Sequence, residues 1–278
     1  MQLVTTIEEL KNAMAQIHAA GGSVGFVPTM GALHEGHLSL LKRSRNENKF
    51  SVCSIFVNPT QFNNQEDLVK YPRTLEADLQ LIENYVDVVF APSAEEVYRE
   101  PATEQYDFGD LEKVMEGPSR PGHFNGVGII VRRLLDWVQP DRAYFGEKDF
   151  QQIAIVKSLV HQCHIQSEIV PCPIVREPSG LALSSRNKRL SEDERAKAAN
   201  IYRILRESTE LNTTRVEDIQ AFVAKEIAKV DILKLEYYAI VDGETLQPIR
   251  DLRDADSVVG CIAVYAGEVR LIDNIRYK

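Results

Sequence analysis

The sequence of 278 residues contains only four cysteines, and no two of them form a Cys-x-x-Cys pair. Each one lies in or beside an apolar stretch: Cys53, Cys163, Cys172 and Cys261. Cysteines distributed in this way are typical of buried, reduced thiols rather than of a disulfide framework or a zinc site. Because reduced thiols persist in reducing compartments, we expect a cytoplasmic protein.

The sequence also lacks long apolar runs and an excess of positive charge. No apolar stretch approaches the roughly 20 residues of a membrane span, and the polar start does not have a signal-peptide pattern. The 32 Lys and Arg residues are outnumbered by 41 Asp and Glu residues, for a net charge of −9. A nucleic acid or an anionic membrane would need a broad basic patch, so we expect neither partner. Any anionic ligand must be bound by a local cluster of donors.

The first two-thirds of the sequence alternate short β-rich runs with longer helical ones. Strands are predicted at 24–27, 51–57, 86–91, 142–145 and 165–170, and helices at 36–48, 74–84, 127–138 and 150–161. This alternation is typical of a parallel sheet with crossover helices. We predict an α/β fold with a Rossmann-like, doubly wound parallel sheet over residues 1–173, with ligands at the carboxyl ends of its strands.

The alternation of predicted strands and helices ends near Pro173. A polar loop is followed by two predicted helices, at 192–209 and 216–230, and by three predicted strands near 235–241, 257–265 and 269–273. Ser191 and Glu194 form a capping-box pattern at the start of the first of these helices. We therefore predict a second, smaller α+β domain over residues 174–278.

The segment PTMGALHEGH, Pro28 to His37, follows a predicted strand and leads into a predicted helix. Gly31 and Gly36 allow close backbone approach, and a helix start offers N–H groups and a positive dipole end to a phosphate. His34 and His37 are three residues apart, so both imidazoles can face one phosphate. Their hydrogen bonds would stabilise the charge that grows on a phosphorus under attack.

Two other interpretations of this histidine pair stay open. His34 could simply cap the helix while His37 lies on its polar face, or the two imidazoles could be metal ligands. The metal site is disfavoured because no matching carboxylate or cysteine pattern lies nearby.

Three later loops combine polar side chains suited to anionic or hydroxylated ligands. Gln61 follows a turn at Asn58, and its amide can bind hydroxyl and carboxylate groups. Lys148, at the start of a predicted helix, offers a compact positive charge to a phosphate. Arg186, beside two serines, presents a planar fork that matches phosphate oxygens. Each of these loops could instead be a solvated loop or a simple helix cap.

Six motifs occur in one order over residues 28 to 187: PTMGALHEGH, FVNPTQF, YPRT, RPGHFNGV, FGEKDFQQ and SSRN. Together they closely resemble the motifs of the pantothenate synthetase family, the pantoate–β-alanine ligases. Members of that family usually have Met where this sequence has Leu183. We expect the backbone contact of this residue with the nucleotide to survive the change.

The resemblance implies a set of site residues. ATP would be bound by Met30, Gly31, His34, His37, Gly146, Glu147, Lys148, Asp149, Val175, Leu183, Ser184, Ser185 and Arg186. The catalytic groups would be His37, His34, Lys148 and Arg186, and pantoate and β-alanine would be bound by Gln61 and Gln152. Asp78 is a candidate contact for Mg²⁺, which prefers waters and phosphate oxygens. Arg120 could hold a phosphate or a carboxylate, and His123 is expected to make structural hydrogen bonds.

The implied reaction is the ATP-dependent condensation of pantoate with β-alanine through a pantoyl adenylate, with release of AMP and pyrophosphate. The resemblance also implies a homodimer and a second domain that closes as a lid. An alternative is an HxGH nucleotidyltransferase that acts on a phosphorylated substrate. A non-catalytic nucleotide-binding regulator is disfavoured, because it would be expected to lose a histidine or the charges of Lys148 and Arg186.

Overall fold

The computed structural model describes every residue from Met1 to Lys278. The chain divides into two compact units. The first unit consists of Met1–Phe108, Arg120–Glu147 and Gln152–Pro173, and the second of Gly109–Ser119, Lys148–Gln151 and Ile174–Lys278. The polypeptide therefore passes between the units at both ends of each short insert, 109–119 and 148–151, and again after Pro173.

The first unit contains a six-stranded sheet in which every pairing is parallel. Its strands are β1 (Gln2–Val4), β2 (Val24–Thr29), β3 (Phe50–Ile55), β4 (Val88–Phe90), β5 (Arg142–Gly146) and β6 (Glu168–Cys172). They lie in the order β1-β4-β3-β2-β5-β6. Most residues of β2, β3 and β4 are buried, as expected for strands of a parallel sheet with both faces covered. The prediction of a doubly wound, Rossmann-like sheet is confirmed.

Helices connect these strands and make up part of the second unit. They are α1 (Ile7–Ala19), α2 (Glu35–Glu47), α3 (Gln65–Lys70), α4 (Leu75–Ile82), α5 (Ala94–Val97), α6 (Glu116–Ser119), α7 (His123–Val138), α8 (Phe150–Gln162), α9 (Glu192–Ala198), α10 (Asn200–Thr209) and α11 (Val216–Ile227). Short 3₁₀ helices lie at Pro59–Gln61, Gly109–Glu112, Glu147–Asp149 and Ser185–Arg189. No helix is both long enough and apolar enough to span a bilayer.

The second unit contains an antiparallel sheet of three strands, β7 (Leu233–Asp242), β8 (Val258–Ala266) and β9 (Val269–Arg276). Apolar residues of α10 and α11 pack with this sheet in one core that includes Ile204, Ile219 and Ile262. Ser191 and Glu194 form the expected capping box at the start of α9. The predicted α+β character of the C-terminal region is confirmed.

Some predicted boundaries are wrong, for local reasons. The helix predicted at 192–209 is two helices, and the side chain of Asn200 donates to the carbonyl of Lys197 where they meet. This bond competes with the regular helical ladder. Strand β6 begins at Glu168 rather than at Ile165, because His164 has a positive φ of 54° and still belongs to the turn that ends α8. Strand β1 was not predicted, since its three residues are too few for a pattern.

The four cysteines are free thiols, of which three are buried and Cys163 is partly exposed. Burial raises the pKa of Cys53 and of Cys261 to about 12, and it also raises the pKa of Cys172. Since the thiolate is the reactive form, these three thiols should react slowly near neutral pH.

We predict that a disulfide reagent such as DTNB labels Cys163 first in the native protein, and the other three only as the protein unfolds. The measurement is the rate and stoichiometry of labelling with and without denaturant. The Cys163→Ser variant serves as control and should lose the early phase. Rapid labelling of that variant without denaturant would contradict the prediction.

Candidate active site

The loop that joins β2 to α2 has an unusual backbone conformation. Gly31 and Ala32 have positive φ angles of 82° and 51°. The left-handed region suits glycine but is strained for alanine. A Cβ atom on Gly31 would lie 3.2 Å from Oδ2 of Asp78 and 3.1 Å from the side chain of Ile55. Only glycine therefore suits this position, because both its φ angle and its close neighbours disfavour a side chain.

The carboxylate of Asp78, on α4, stabilises this loop. Its Oδ2 accepts a hydrogen bond of 2.9 Å from the amide of Ala32, and its Oδ1 accepts one of 2.8 Å from the amide of Leu33. Thr74 also donates to Oδ1 at 3.1 Å. Asp78 is only 3% exposed, so these bonds form away from solvent. The buried carboxylate compensates for the strain at Ala32 and sets the backbone that leads to His34.

His34 is the N-cap of α2, and its Nδ1 accepts a hydrogen bond of 3.1 Å from the amide of Gly36. An accepting Nδ1 has no proton, so in the neutral ring the proton is on Nε2. The capping interpretation of His34 is therefore right, and it is compatible with phosphate binding. The ring centroids of His34 and His37 are 4.1 Å apart. The predicted histidine pair is thus formed at the start of a long helix.

Gln61 ends the 3₁₀ helix that follows β3, and it is 9% exposed. Its Nε2 lies 3.0 Å from the sulfur of Met30, and its Oε1 accepts a hydrogen bond of 3.2 Å from Nδ2 of Asn58. A predicted pantoate-binding residue and a predicted ATP-binding residue are therefore in contact. Asn58 orients the amide, a role that our sequence interpretation did not assign, although Asn58 lies in the FVNPTQF motif.

The backbone of Gln61 is also held in place. Its carbonyl accepts hydrogen bonds from Nδ1 of His123 at 2.7 Å and from Arg120 at 3.3 Å. Arg120 also lies 3.2 Å from Nε2 of His123; because a guanidinium can only donate, Nε2 accepts and Nδ1 carries the proton. The hydrogen-bonding role expected of His123 is confirmed. Helix α7 packs closely here, since a Cβ on Gly126 would lie 2.3 Å from the carbonyl oxygen of Thr60.

Further predicted residues of the first unit lie at the same edge of the sheet. Gly146 is the last residue of β5, Glu147 follows it, and Gln152 lies in the first turn of α8. Strands β3, β2 and β5 are neighbours and parallel, so their carboxyl ends meet at one edge. The histidine pair, Gln61 and the end of β5 follow these three strands. The topology thus places them where ligands of such sheets usually bind.

The remaining predicted residues belong to the second unit. Lys148 forms an ion pair with Asp149 at 3.1 Å. The amide of Leu183 donates to the carbonyl of Val175 at 3.0 Å, so these two predicted residues lie side by side. Ser184 caps the 3₁₀ helix Ser185–Arg189 by accepting from the amide of Arg186 at 3.2 Å. One compact loop therefore carries all the predicted residues from Val175 to Arg186.

The side chains of the protein do not form a cage for Mg²⁺. No group of three or more His, Cys, Asp or Glu residues is arranged to hold a metal ion. The two oxygens of Asp78, the candidate contact, accept hydrogen bonds from backbone amides. The residues present therefore do not suit a resident ion.

Comparison with known proteins gives one family for the whole chain. The family model described as pantoate-beta-alanine ligase matches residues 2–276. A pantothenate synthetase from Bacteroides thetaiotaomicron is 55% identical, over 100% of this chain and 99% of its own. The chain belongs to the pantoate-beta-alanine ligase family. A pantothenate synthetase from Phocaeicola vulgatus is 56% identical, with both chains covered over 100% of their length.

Solved structures of the ligase family have the same fold. The crystal structure of pantothenate synthetase from Thermus thermophilus superposes with a TM-score of 0.93 at 44% identity, over 100% of this chain and 99% of the other. The pantoate-beta-alanine ligase from Francisella tularensis, crystallised with beta-gamma ATP and beta-alanine, gives a TM-score of 0.84 at 37% identity, over 100% and 98%. The resemblance found in the six motifs is therefore confirmed along the whole chain.

Asp78 offers a direct test of the loop geometry. We predict that Asp78→Ala lowers the free energy of unfolding by at least about 1–3 kcal/mol, the cost of leaving a buried donor unsatisfied. It should also lower ligase activity, because His34 follows the released loop. Thermal unfolding and initial rates are the measurements. Glu76→Ala, an exposed acidic residue on the same helix, is the control. Equal unfolding temperatures for the two variants would contradict the role given to Asp78.

Proposed function

We propose that the protein joins pantoate to β-alanine with consumption of ATP, through a pantoyl adenylate. The observation that supports this most directly is the histidine pair at the start of α2, in a chain that belongs to the ligase family over its whole length. Gln61 contacts Met30, which lies in the loop before the same helix. The relative from Francisella tularensis was crystallised with beta-gamma ATP and beta-alanine. These two ligands correspond to two of the three proposed substrates.

The proposed reaction has two steps. In the first, a carboxylate oxygen of pantoate attacks the α-phosphorus of ATP, and the bond from this phosphorus to the bridging oxygen breaks. Pyrophosphate leaves with the electron pair. In the second, the amine nitrogen of β-alanine attacks the acyl carbon and loses a proton. The bond from this carbon to the phosphate oxygen breaks, and AMP leaves. Positioning and charge complementarity should supply most of the rate acceleration.

His34 and His37 have the role of stabilising the α-phosphorus as it is attacked. His34 can donate from Nε2, since its Nδ1 accepts from the amide of Gly36. The positive end of the α2 dipole favours the same negative charge. A neutral imidazole and backbone groups can do this without a lysine or arginine side chain in the loop. Met30 and Gly31 belong to the same ATP-binding segment.

Pantoate and β-alanine are assigned to Gln61 and Gln152. The amide of Gln61 is oriented by Asn58 and its backbone by His123, so this side chain is held before substrate binds. Such preorganisation reduces the conformational entropy that is lost on binding. An uncharged amide suits pantoate because it can bind both hydroxyl and carboxylate oxygens.

The positive charges of the second unit are assigned to the phosphates of ATP. Lys148 and Arg186 would neutralise the departing pyrophosphate, and Ser184 and Ser185 would add neutral donors. Gly146, Glu147, Asp149, Val175 and Leu183 complete the proposed ATP-binding set. Residues 174–278 keep the role of a lid, because an acyl adenylate hydrolyses unless water is excluded.

Three further features belong to the proposal. Mg²⁺ is expected to bind through the phosphates of ATP and through waters, because the protein has no cage for it. Asp78 is then left to its hydrogen bonds with the loop before α2. A homodimer formed through the residues 1–173 and a cytoplasmic location complete the proposal, and the free thiols agree with that location.

The alternative, an HxGH nucleotidyltransferase that acts on a phosphorylated substrate, is not favoured by the comparisons. The two activities differ in what they require for isotope exchange. We predict that exchange of labelled pyrophosphate into ATP depends on added pantoate, and that release of AMP depends on β-alanine. Pantoate-independent exchange, or exchange that requires a phosphorylated compound, would refute the ligase function.

His37 provides the test of the histidine pair. We predict that His37→Ala lowers kcat by about 10²-fold or more, the effect of losing one donor to a developing oxyanion. The fold should persist, as judged by circular dichroism. His161→Ala, which removes an exposed imidazole from the last turn of α8, is the control and should retain full activity. Unchanged turnover in His37→Ala would rule out its assigned role.

A further inference from the structure

Two adjacent polar residues are buried in β9, the last strand of the second unit. Asp273 is 6% exposed and Asn274 is 7% exposed. Neighbouring residues of a strand point to opposite faces, so the two side chains reach different parts of the unit. Buried polar groups of this kind are expected to have specific partners. The partners of this pair belong to the two segments that carry Lys148 and Arg186.

Asn274 holds the short insert 148–151. Its Nδ2 donates to the carbonyl of Lys148 at 3.1 Å. Two residues further along the same face of β9, the guanidinium of Arg276 lies over the ring of Phe150, 5.6 Å from its centroid. Both contacts act on residues that the chain inserts into the second unit from the first. The backbone position of Lys148 therefore depends on one face of β9.

Asp273 holds the segment that begins the Val175–Arg186 loop. Arg176 donates to both carboxylate oxygens of Asp273, at 2.6 and 2.9 Å. The same guanidinium lies 3.7 Å from the centroid of the Tyr202 ring and donates to the carbonyl of Gly180 at 3.2 Å. A bidentate pair that is also stacked on an aromatic ring leaves Arg176 little freedom of orientation.

Backbone contacts connect Arg176 to the predicted phosphate-binding residues. Arg176 pairs with Ala182 in an antiparallel bridge, and the amide of Leu183 donates to the carbonyl of Val175 at 3.0 Å. The next residue, Ser184, caps the short helix that contains Arg186. A shift of Arg176 would therefore move the chain that carries Ser184, Ser185 and Arg186.

The carboxyl of Asp273 is buried and paired with Arg176. Burial raises the pKa of this carboxyl, while Arg176 and Lys148 both act to lower it. A buried ion pair contributes little net stability after desolvation, but removing one partner is costly. Such a pair is better explained by the geometry that it enforces, which here is that of the segment leading to Arg186.

We propose that Asp273 and Asn274 are positioning residues that place Lys148 and the Leu183–Arg186 segment for ATP. The inference rests on the proposed ligase function. The pair does not touch the substrates in this proposal. The pair determines the positions of Lys148 and Arg186, so its loss should affect kcat/KM for ATP more than the KM for pantoate.

The test is steady-state kinetics of Asn274→Leu and Asp273→Asn, with each substrate varied in turn. Leucine has the same branching and number of heavy atoms as asparagine, but it cannot donate to the carbonyl of Lys148. We expect kcat/KM for ATP to fall by about 10- to 100-fold, as for a misplaced catalytic group. The KM for pantoate should stay within about twofold of its original value, because uniform pantoate binding is not affected. Asn274→Asp, which keeps the shape but places an acceptor against the carbonyl, replaces Asn274→Leu if that variant does not fold.

Asp251→Asn is the control for loss of an arginine–aspartate pair elsewhere in the unit. Asp251 also accepts two hydrogen bonds from an arginine, Arg253, at 2.8 and 2.9 Å in the same unit. Its carboxylate also accepts from the hydroxyl of Thr214 at 2.9 Å, so this pair holds the segment before α11. The control variant should retain the kcat/KM for ATP of the unmodified protein. An equal loss in Asp251→Asn and Asp273→Asn would mean that the effect is general destabilisation, and it would overturn the proposal.

A double-mutant cycle separates positioning from a merely structural role. In the Lys148→Ala background, Asn274→Leu should lower kcat/KM for ATP by less than about twofold, because the group that it positions is already gone. If the loss of kcat/KM in the double variant equalled the product of the losses in the two single variants, the inference would be refuted. If Lys148→Ala itself kept full activity, the proposed role of Lys148 would fail instead. If the unmodified protein showed no pantoate-dependent exchange of pyrophosphate into ATP, the proposed function as a whole would be refuted.

Discussion

The two hydrogen bonds from the amides of Ala32 and Leu33 to Asp78 are the constraint on which the candidate active site depends. A non-glycine residue in the left-handed region costs of order 1–3 kcal/mol and persists only where its surroundings enforce it. Ala32 is such a residue, and the buried carboxylate of α4 enforces its conformation. This loop leads to His34, the N-cap of α2, whose Nδ1 accepts from the amide of Gly36.

The groups that we assign to the phosphates of ATP differ between the two units. The first unit offers a helix start and imidazoles, and the second offers Lys148 and Arg186. In a protein with a net charge of −9, such groups must be local and well oriented, because the overall field repels anions. Within the second unit, Asp273 accepts from Arg176, and Asn274 donates to the carbonyl of Lys148. In our proposal these contacts provide that orientation. In the proposed function, phosphate binding therefore depends on the geometry of these groups rather than on an excess of positive charge.

The parallel sheet, the candidate site motif and the cap of α9 could be predicted from the sequence, because each depends on a local pattern. Alternating strands and helices predict the parallel sheet, and a strand followed by HxGH and a helix with apolar periodicity predicts a phosphate site. The capping pattern of Ser191 and Glu194 also has a local cause. Where local signals compete, the prediction was wrong: Asn200 divides a stretch that looks like a single helix. The ordered motifs added the family, which the comparisons confirmed.

The sequence by itself determined the fold class, the histidine pair, the polar residues Gln61, Lys148 and Arg186, and the family. Tertiary structure alone decided which groups hold these residues in place. Asp78 lies 46 positions from Ala32, and Asn274 lies 126 positions from Lys148. No periodicity or local motif links residues so far apart in the chain. Their pairing arises only when the sheet brings distant segments together and burial forces each polar group to find a partner.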